Sequence, residues 1–238
     1  AAGAGRSRVT FAPTPPIPSY LLALGVGRFD VLDAGRAGRQ GVPVRFIVPP
    51  GQREAAAYAA QVAPRIVDAL ERWFDMPYPY AKLDSMVQPV TSGYGAMEHP
   101  GLITYAAWLL LAPPGEQSPG FERRHVSIAA HELAHQWFGN LVTMAWWDDL
   151  WLNESFAEWA AYYCQAEIAS HHGRLPCNVA VQGWAGSAAH VDQGAVQAAP
   201  QVFQWSAMLF QADNGSFIRS VFSQAAGGNM QFMARPPR

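Results

Sequence analysis

The chain reads as an α+β fold, and three observations predict it. The first 50 residues are cut by glycine and proline into short apolar runs, as strands are. Beyond them lie long stretches that carry apolar residues at helical spacing or hold no glycine or proline at all. Between those helices sit brief strand-like segments with Gly or Pro on their flanks.

The elements follow in order. PTPPIPSY opens the chain's readable part, YLLALGVGRFDVL reads as a strand, DAGRAGRQG as a Gly-rich turn, and VPVRFIVPPG as a second strand. Pro49-Pro50-Gly51 closes that section, and a domain boundary is expected near residue 50. Composition then turns Ala-rich, with Glu54, Tyr58, Val62, Ile66, Leu70 and Phe74 near a 3.6-residue period, which predicts a helix. Pro77 and Pro79 end it at MPYPY, because proline removes an amide donor and clashes with the preceding turn. KLDSMVQPV reads as a strand leading into GYGAMEHPG, whose flanking glycines suit a strand at a sheet edge. Ser118 followed by Pro119 is an N-cap with proline at the first helical position, opening a helix that Gly139 is expected to close. A further helix is expected over 150–169, where WLNESFAEWAAYYCQAEIA holds no Gly or Pro. Residues 170–238 are Ala, Gln and Gly rich, with weak periodicity and no internal repeat.

Composition narrows the function. Sixteen basic and eighteen acidic residues give a net charge of -2 with no basic cluster, so neither nucleic acid nor an anionic membrane surface is an expected partner. The longest apolar run, AAWLLLA at 106–112, is far below the roughly 20 residues that span a bilayer, so no transmembrane segment is expected. The N-terminal AAGAGRSRVTF has neither Met nor a secretory pattern, which reads as a start inside a longer protein, and no compartment is assigned. Cys164 and Cys177 are too few for a disulfide scaffold and read as free thiols.

HELAH at 131–135 carries the chemistry. On a helix, His131 and His135 are one turn apart and project from the same face, so both imidazoles can reach one tetrahedral zinc ion. Glu132 projects elsewhere and stays free to take a proton from a metal-activated water and pass it to a leaving amine. A chain of this composition would contain such a pattern by accident only about 0.008 times. A hydrolytic zinc needs a third protein ligand, and Glu154, with 18 residues between it and His135, is the candidate on the following helix. Its aromatic neighbours in WWDDLWLNESFAEW suit a buried helix pair. Glu158, one turn further, either orients one of the histidines or is a solvated carboxylate.

The stretch HELAHQWFGNLVTMAWWDDLWLNESFAEW resembles the zinc-binding core of the aminopeptidase N family, gluzincin aminopeptidases that include leukotriene hydrolase. GAMEH at 95–99, with Glu98 placed 33 positions before His131, is similar to the family's G-x-M-E-N exopeptidase motif. TPPIPSYLLALGVGRFD and FDMPYPYAKLD resemble the family's end of an N-terminal β domain and its approach to the catalytic domain, so the likeness covers about residues 10–165. The resemblance implies a thermolysin-like catalytic domain over 51–238, with 170–238 diverged or truncated, preceded by the end of a β domain over 1–50. It implies one zinc per chain held by His131, His135 and Glu154, with Glu132 as general base and acid. Glu98 would bind the free α-amino group of a peptide substrate, and the backbone of Gly95, Ala96 and Met97 would line that peptide as an added strand. The implied function is removal of N-terminal residues from peptides. The alternatives are a zinc-binding relative that is catalytically defective or truncated, and a thermolysin-like endopeptidase.

Three departures from the family pattern stand out. His99 occupies the usual Asn position, and imidazole keeps hydrogen-bonding capacity there. No tyrosine follows Tyr163, whereas the family places one downstream as an oxyanion donor; its position falls on Ala212. His190 stands where the family has His-Pro-Ile, without the Pro and Ile, and reads as a surface histidine.

Overall fold

The computed structural model describes residues 8–89, 95–144, 147, 150–170 and 231–232. Within them a mixed five-stranded sheet packs against helices, the α+β class expected. Strand β1 (Asp30–Ala37) pairs antiparallel with β2 (Val42–Val48). From β2 the sheet continues in parallel to β3 (Leu83–Gln88) and then to β5 (Leu102–Ala106), and ends on the antiparallel two-residue strand β4 (Ala96–Met97). β4 is therefore an edge strand, and GAMEH lies along it. Helix α1 (Ala57–Phe74) connects β2 to β3, the short α2 (Ala107–Leu110) follows β5, and α3 (Pro119–Ala134) and α4 (Leu150–Ser170) complete the core. Thr143–Met144 (β6) pairs in parallel with Gln231–Phe232 (β7).

The boundary expected near residue 50 falls inside this sheet. β2 precedes it, yet Val44 to Ile47 pair with Leu83 to Met86 of β3 beyond it. Val44, Phe46 and Val48 alternate inward and join Ile66, Leu83, Ile103, Leu133 and Trp137 in one core. Strands over 30–48 thus belong to the same sheet as GAMEH. The run YLLALGVG is also not a strand. Ser19–Leu21 forms one 3₁₀ turn, and the chain beyond it leaves Leu22, Leu24 and Val26 at 72% exposure or more, with β1 beginning only at Asp30. The expected turn DAGRAGRQG is shorter than its composition suggests. β1 continues to Ala37 through an irregularity between Asp33 and Arg36, where the Gly35 N–H donates to Asp33 Oδ1 and Gly35 adopts φ +81°. The tight turn itself spans 38–41, closed by the Gly41 N–H donating to the Gly38 carbonyl.

That turn rests on a buried carboxylate. Glu71 faces the core side of α1, only 2% exposed, and accepts the backbone N–H of Arg39 at 2.6 Å and of Tyr78 at 2.6 Å. Gly38, at φ +70°, comes so close that a Cβ there would meet Glu71 Oε1 at 2.3 Å, so only glycine fits. One side chain thereby pins both the β1–β2 turn and the loop leading into β3. Replacing it strands two inner amide donors, so Glu71→Ala should destabilise the fold by about 2–4 kcal/mol in denaturant unfolding. A loss below about 0.5 kcal/mol would show that the turn and loop hold without it.

Helix α3 begins as its sequence predicts, with Ser118 Oγ accepting the Phe121 N–H at 3.2 Å and Pro119 in the first turn. His125 lies on its buried face among the rings of Tyr58, Phe121 and Tyr105 and donates from Nδ1 to the Leu109 carbonyl at 2.9 Å. Burial pushes its pKa down to about 4, since an imidazolium would lose its hydration there. Above the unfolded value near 6.5 both states are neutral; between 6.5 and about 4 only the unfolded chain takes up the proton. This residue should therefore cost stability on the order of 3 kcal/mol as pH falls through that window. His125→Gln should flatten that part of the pH profile, as judged by denaturant unfolding at pH 7.5 and 4.5. Equal losses in both proteins would remove His125 from the explanation.

Candidate metal centre

Helical hydrogen bonding of α3 runs out within HELAH. Ala134 is its last regular residue, His135 caps it with αR backbone, and tighter turns carry the chain on to Phe138. Gly139, expected to close α3 itself, closes this extra turn instead at φ +118°. A Cβ on Gly139 would come within 3.2 Å of His135 Nδ1 and 3.2 Å of Asn153 Nδ2. The glycine thus supplies both a backbone angle and the space in which His135 sits.

The structure brings the three predicted ligands together. His131 Nε2 and His135 Nε2 are 3.1 Å apart, and Glu154 Oε2 stands 3.3 Å from the first and 3.7 Å from the second. Their ligand atoms all lie within 4.8 Å of one another. The far ring nitrogens are also engaged. His135 Nδ1 is 3.0 Å from the Phe138 carbonyl, which accepts from the ring and orients it so that Nε2 is presented on the side of Glu154. His131 Nδ1 lies 3.4 Å from Glu158 Oε2, so of the two readings of Glu158 the structure favours the orienting one.

Electrostatics of the cluster favour a cation. Burial lowers the pKa of His131, yet hydrogen bonds to Glu154 and Glu158 raise it overall to about 10. Burial would raise Glu154, but hydrogen bonds from His131 and His135 pull it well below the usual carboxylate range. Two imidazole nitrogens and a carboxylate oxygen, both rings backed by acceptors, fit a divalent ion that prefers N and O donors. Glu132 is 5% exposed, and burial pushes it up to about 7 against the opposing pull of His131 and His135.

Glu154 is half exposed, not buried with the aromatic residues around it. Phe156 and Trp159 pack the opposite side of α4. Phe156 stacks on Phe138 at 4.0 Å, and Trp159 lies 4.3 Å from Trp73 of α1. The helix is therefore anchored by its aromatic side while Glu154 and Glu158 face outward beside the two histidines.

Gly95, Ala96 and Met97 lie at the sheet edge, and Glu98, 7% exposed, follows directly. Ala96 and Met97 pair with Tyr105 and Thr104 of β5, and the Gly95 carbonyl accepts the Ala106 N–H at 2.7 Å. His99, at the departure from the family pattern, donates from Nδ1 to the Leu21 carbonyl at 3.0 Å. It thereby ties the 3₁₀ turn to GAMEH. Tyr20 in that turn stands near the site: burial, then Glu98 and Glu154, push its hydroxyl up to about 12. Its ring is 5.4 Å from that of Trp147.

Sequence reasoning missed Tyr20, Gln136 and Asn140. The last two follow HELAH closely, and their amide groups reach the Glu98 carbonyl. The one available signal was two amides within five residues of a metal motif, which alone distinguishes nothing. Cys164 is free and buried, while Cys177, His190 and Ala212 lie outside the described residues.

A helix-borne H-E-x-x-H joined by a glutamate from the next helix defines the metallopeptidase class of site. The family model for the "Peptidase family M1 domain" matches residues 58–207, more than half the chain, and the chain belongs to that family. It is 44% identical over 156 residues to glutamyl aminopeptidase of Bos taurus, a stretch covering 66% of this chain and 16% of that protein. It is 43% identical over 157 residues to puromycin-sensitive aminopeptidase of Caenorhabditis elegans, covering 66% and 16%. Aminopeptidase M1 of Arabidopsis thaliana is 39% identical over 154 residues, covering 65% and 17%. The matched stretch thus spans about a sixth of the length of these relatives.

The contact between Glu158 and His131 leads to a measurable expectation. Glu158→Ala should weaken divalent-ion binding about 10- to 100-fold in a chelator competition. Unchanged affinity would return Glu158 to the status of a surface carboxylate.

Proposed function

We propose that the chain is the catalytic core of a zinc aminopeptidase, with a thermolysin-like catalytic domain, that removes N-terminal residues from peptides bearing a free amino terminus. The observation that carries this reading is the clustering of His131, His135 and Glu154 within 4.8 Å, with Glu132 on the same helix and Glu98 at the end of the edge strand. The names of the three relatives, all aminopeptidases, support it.

In this reading His131, His135 and Glu154 hold one zinc per chain. Bound there, zinc supplies Lewis-acid polarisation of the scissile carbonyl and acidifies water toward neutral pH. Glu132 takes a proton from the attacking water and delivers it to the departing amine. Glu98 pairs with the substrate's α-ammonium, and the backbone of Gly95, Ala96 and Met97 accepts the peptide as an extra strand. An amino terminus held by Glu98 allows one residue to lie between that anchor and the reacting centre, which is what makes the cleavage exopeptidic.

Glu132→Gln should lower kcat on an aminoacyl chromogenic amide by about 100- to 10,000-fold while zinc content stays near one per chain. Full activity in that variant would sink the proton-transfer role. Cleavage confined to internal bonds of N-acetylated peptides would instead establish the endopeptidase alternative. The lack of any tyrosine after Tyr163 favours one further reading, a relative that binds zinc without turnover. Stoichiometric zinc with no hydrolysis of any peptide would support it, and Ala212→Tyr should then raise activity.

A further inference from the structure

We infer that Gln136 and Asn140 are positioning residues that set where Glu98 stands relative to the metal centre, and so govern the preference for a free amino terminus. This rests on the reading of Glu98 given above.

The ladder between β4 and β5 ends at Met97, so the sheet does not hold Glu98 itself. Its carbonyl is held from the other side. It accepts Gln136 Nε2 at 3.0 Å and Asn140 Nδ2 at 2.7 Å, which accounts for both lone pairs. Gln136 is fully buried and Asn140 is 6% exposed, so neither bond competes with bulk water. Gln136 also reaches past Glu98. Its Oε1 accepts the Gly101 N–H at 3.0 Å and the Tyr78 hydroxyl at 3.4 Å, gripping the bend that returns the chain to β5.

Both amides belong to the turn that carries His135. The Asn140 N–H donates to the His135 carbonyl at 3.0 Å, and Gln136 is the next residue after His135. The proposed amine anchor and a metal ligand are therefore joined by one residue and one buried hydrogen bond, without passing through the sheet. A displacement of about 1 Å between such groups is enough to cost on the order of 100-fold in a positioned reaction. Apolar side chains of the same volume would leave the buried Glu98 carbonyl without a donor. It is the amide character of both residues, with Gln136 also serving Gly101 and Tyr78, that fixes the direction of Glu98.

The test uses zinc-loaded chain carrying Glu132→Gln, so that ligands survive, and compares binding of the dipeptide Leu-Gly with N-acetyl-Leu-Gly by calorimetry. Asn140→Asp and Gln136→Glu, added singly, keep the shape but turn an oxygen toward the Glu98 carbonyl. Each should reduce the preference for the free amine at least about tenfold, with zinc content and N-acetyl-Leu-Gly affinity unchanged. If the parent prefers the free amine and both variants keep that preference, the inference alone fails. Loss of zinc, or equal weakening of both dipeptides, would mark a merely structural role and overturn it. A parent that binds both dipeptides alike removes the Glu98 reading, and the inference falls with it.

Discussion

Two imidazoles on one helical turn define only one edge of a metal site, and everything else depends on how a second helix is pressed against the first. That contact is aromatic. Phe138 stacks on Phe156 at 4.0 Å, Phe156 touches Phe74, and Trp137 stacks on Phe74 at 4.9 Å, joining the turn after α3 to α4 and α1. Flat rings in offset contact resist sliding better than aliphatic chains, and their area supplies the adhesion. Glu154 therefore reaches His131 and His135 because its neighbours two residues on and beyond are buried, while its own side chain remains half exposed.

The sheet solves a different problem, bringing a carboxylate from far upstream to the same place. β2, β3 and β5 run in parallel, and parallel strands require covering helices, here α1 and α3. Once α3 lies on the sheet, its C-terminal turn meets the edge at β4. Glu71 stabilises this arrangement at the opposite end by binding the β1–β2 turn to α1. The chain thus has buried polar fastenings at both ends of the helix layer: a carboxylate serving backbone amides at one, and amides serving a backbone carbonyl at the other.

What the sequence revealed follows from how local each feature is. The spacing of His131 and His135 is a property of one helical turn, and the span of α4 was readable because no Gly or Pro interrupts it. Glu154 was legible through its distance from His135, although its exposure was not. The run at 22–26 was misread because alternating apolar residues make a strand only where a partner offers hydrogen bonds, and burial there depends on the tertiary arrangement. Pro49-Pro50-Gly51 marks a turn, and the pairing of β2 with β3 across it left no signal because it joins residues some 39 positions apart. Gln136 and Asn140 left no trace because a buried hydrogen bond to a distant carbonyl has no sequence period.

β4 is only two residues long, and among the described residues it ends the sheet. An open edge exposes unpaired amides and carbonyls that any extended chain can use, including another copy of the same protein. Shortness limits that hazard, since two residues offer too few bonds to nucleate a growing ladder. The same brevity makes the edge selective for length: it can register the beginning of a chain but cannot grip a long one by its backbone alone, so whatever binds there must be held mainly by its end.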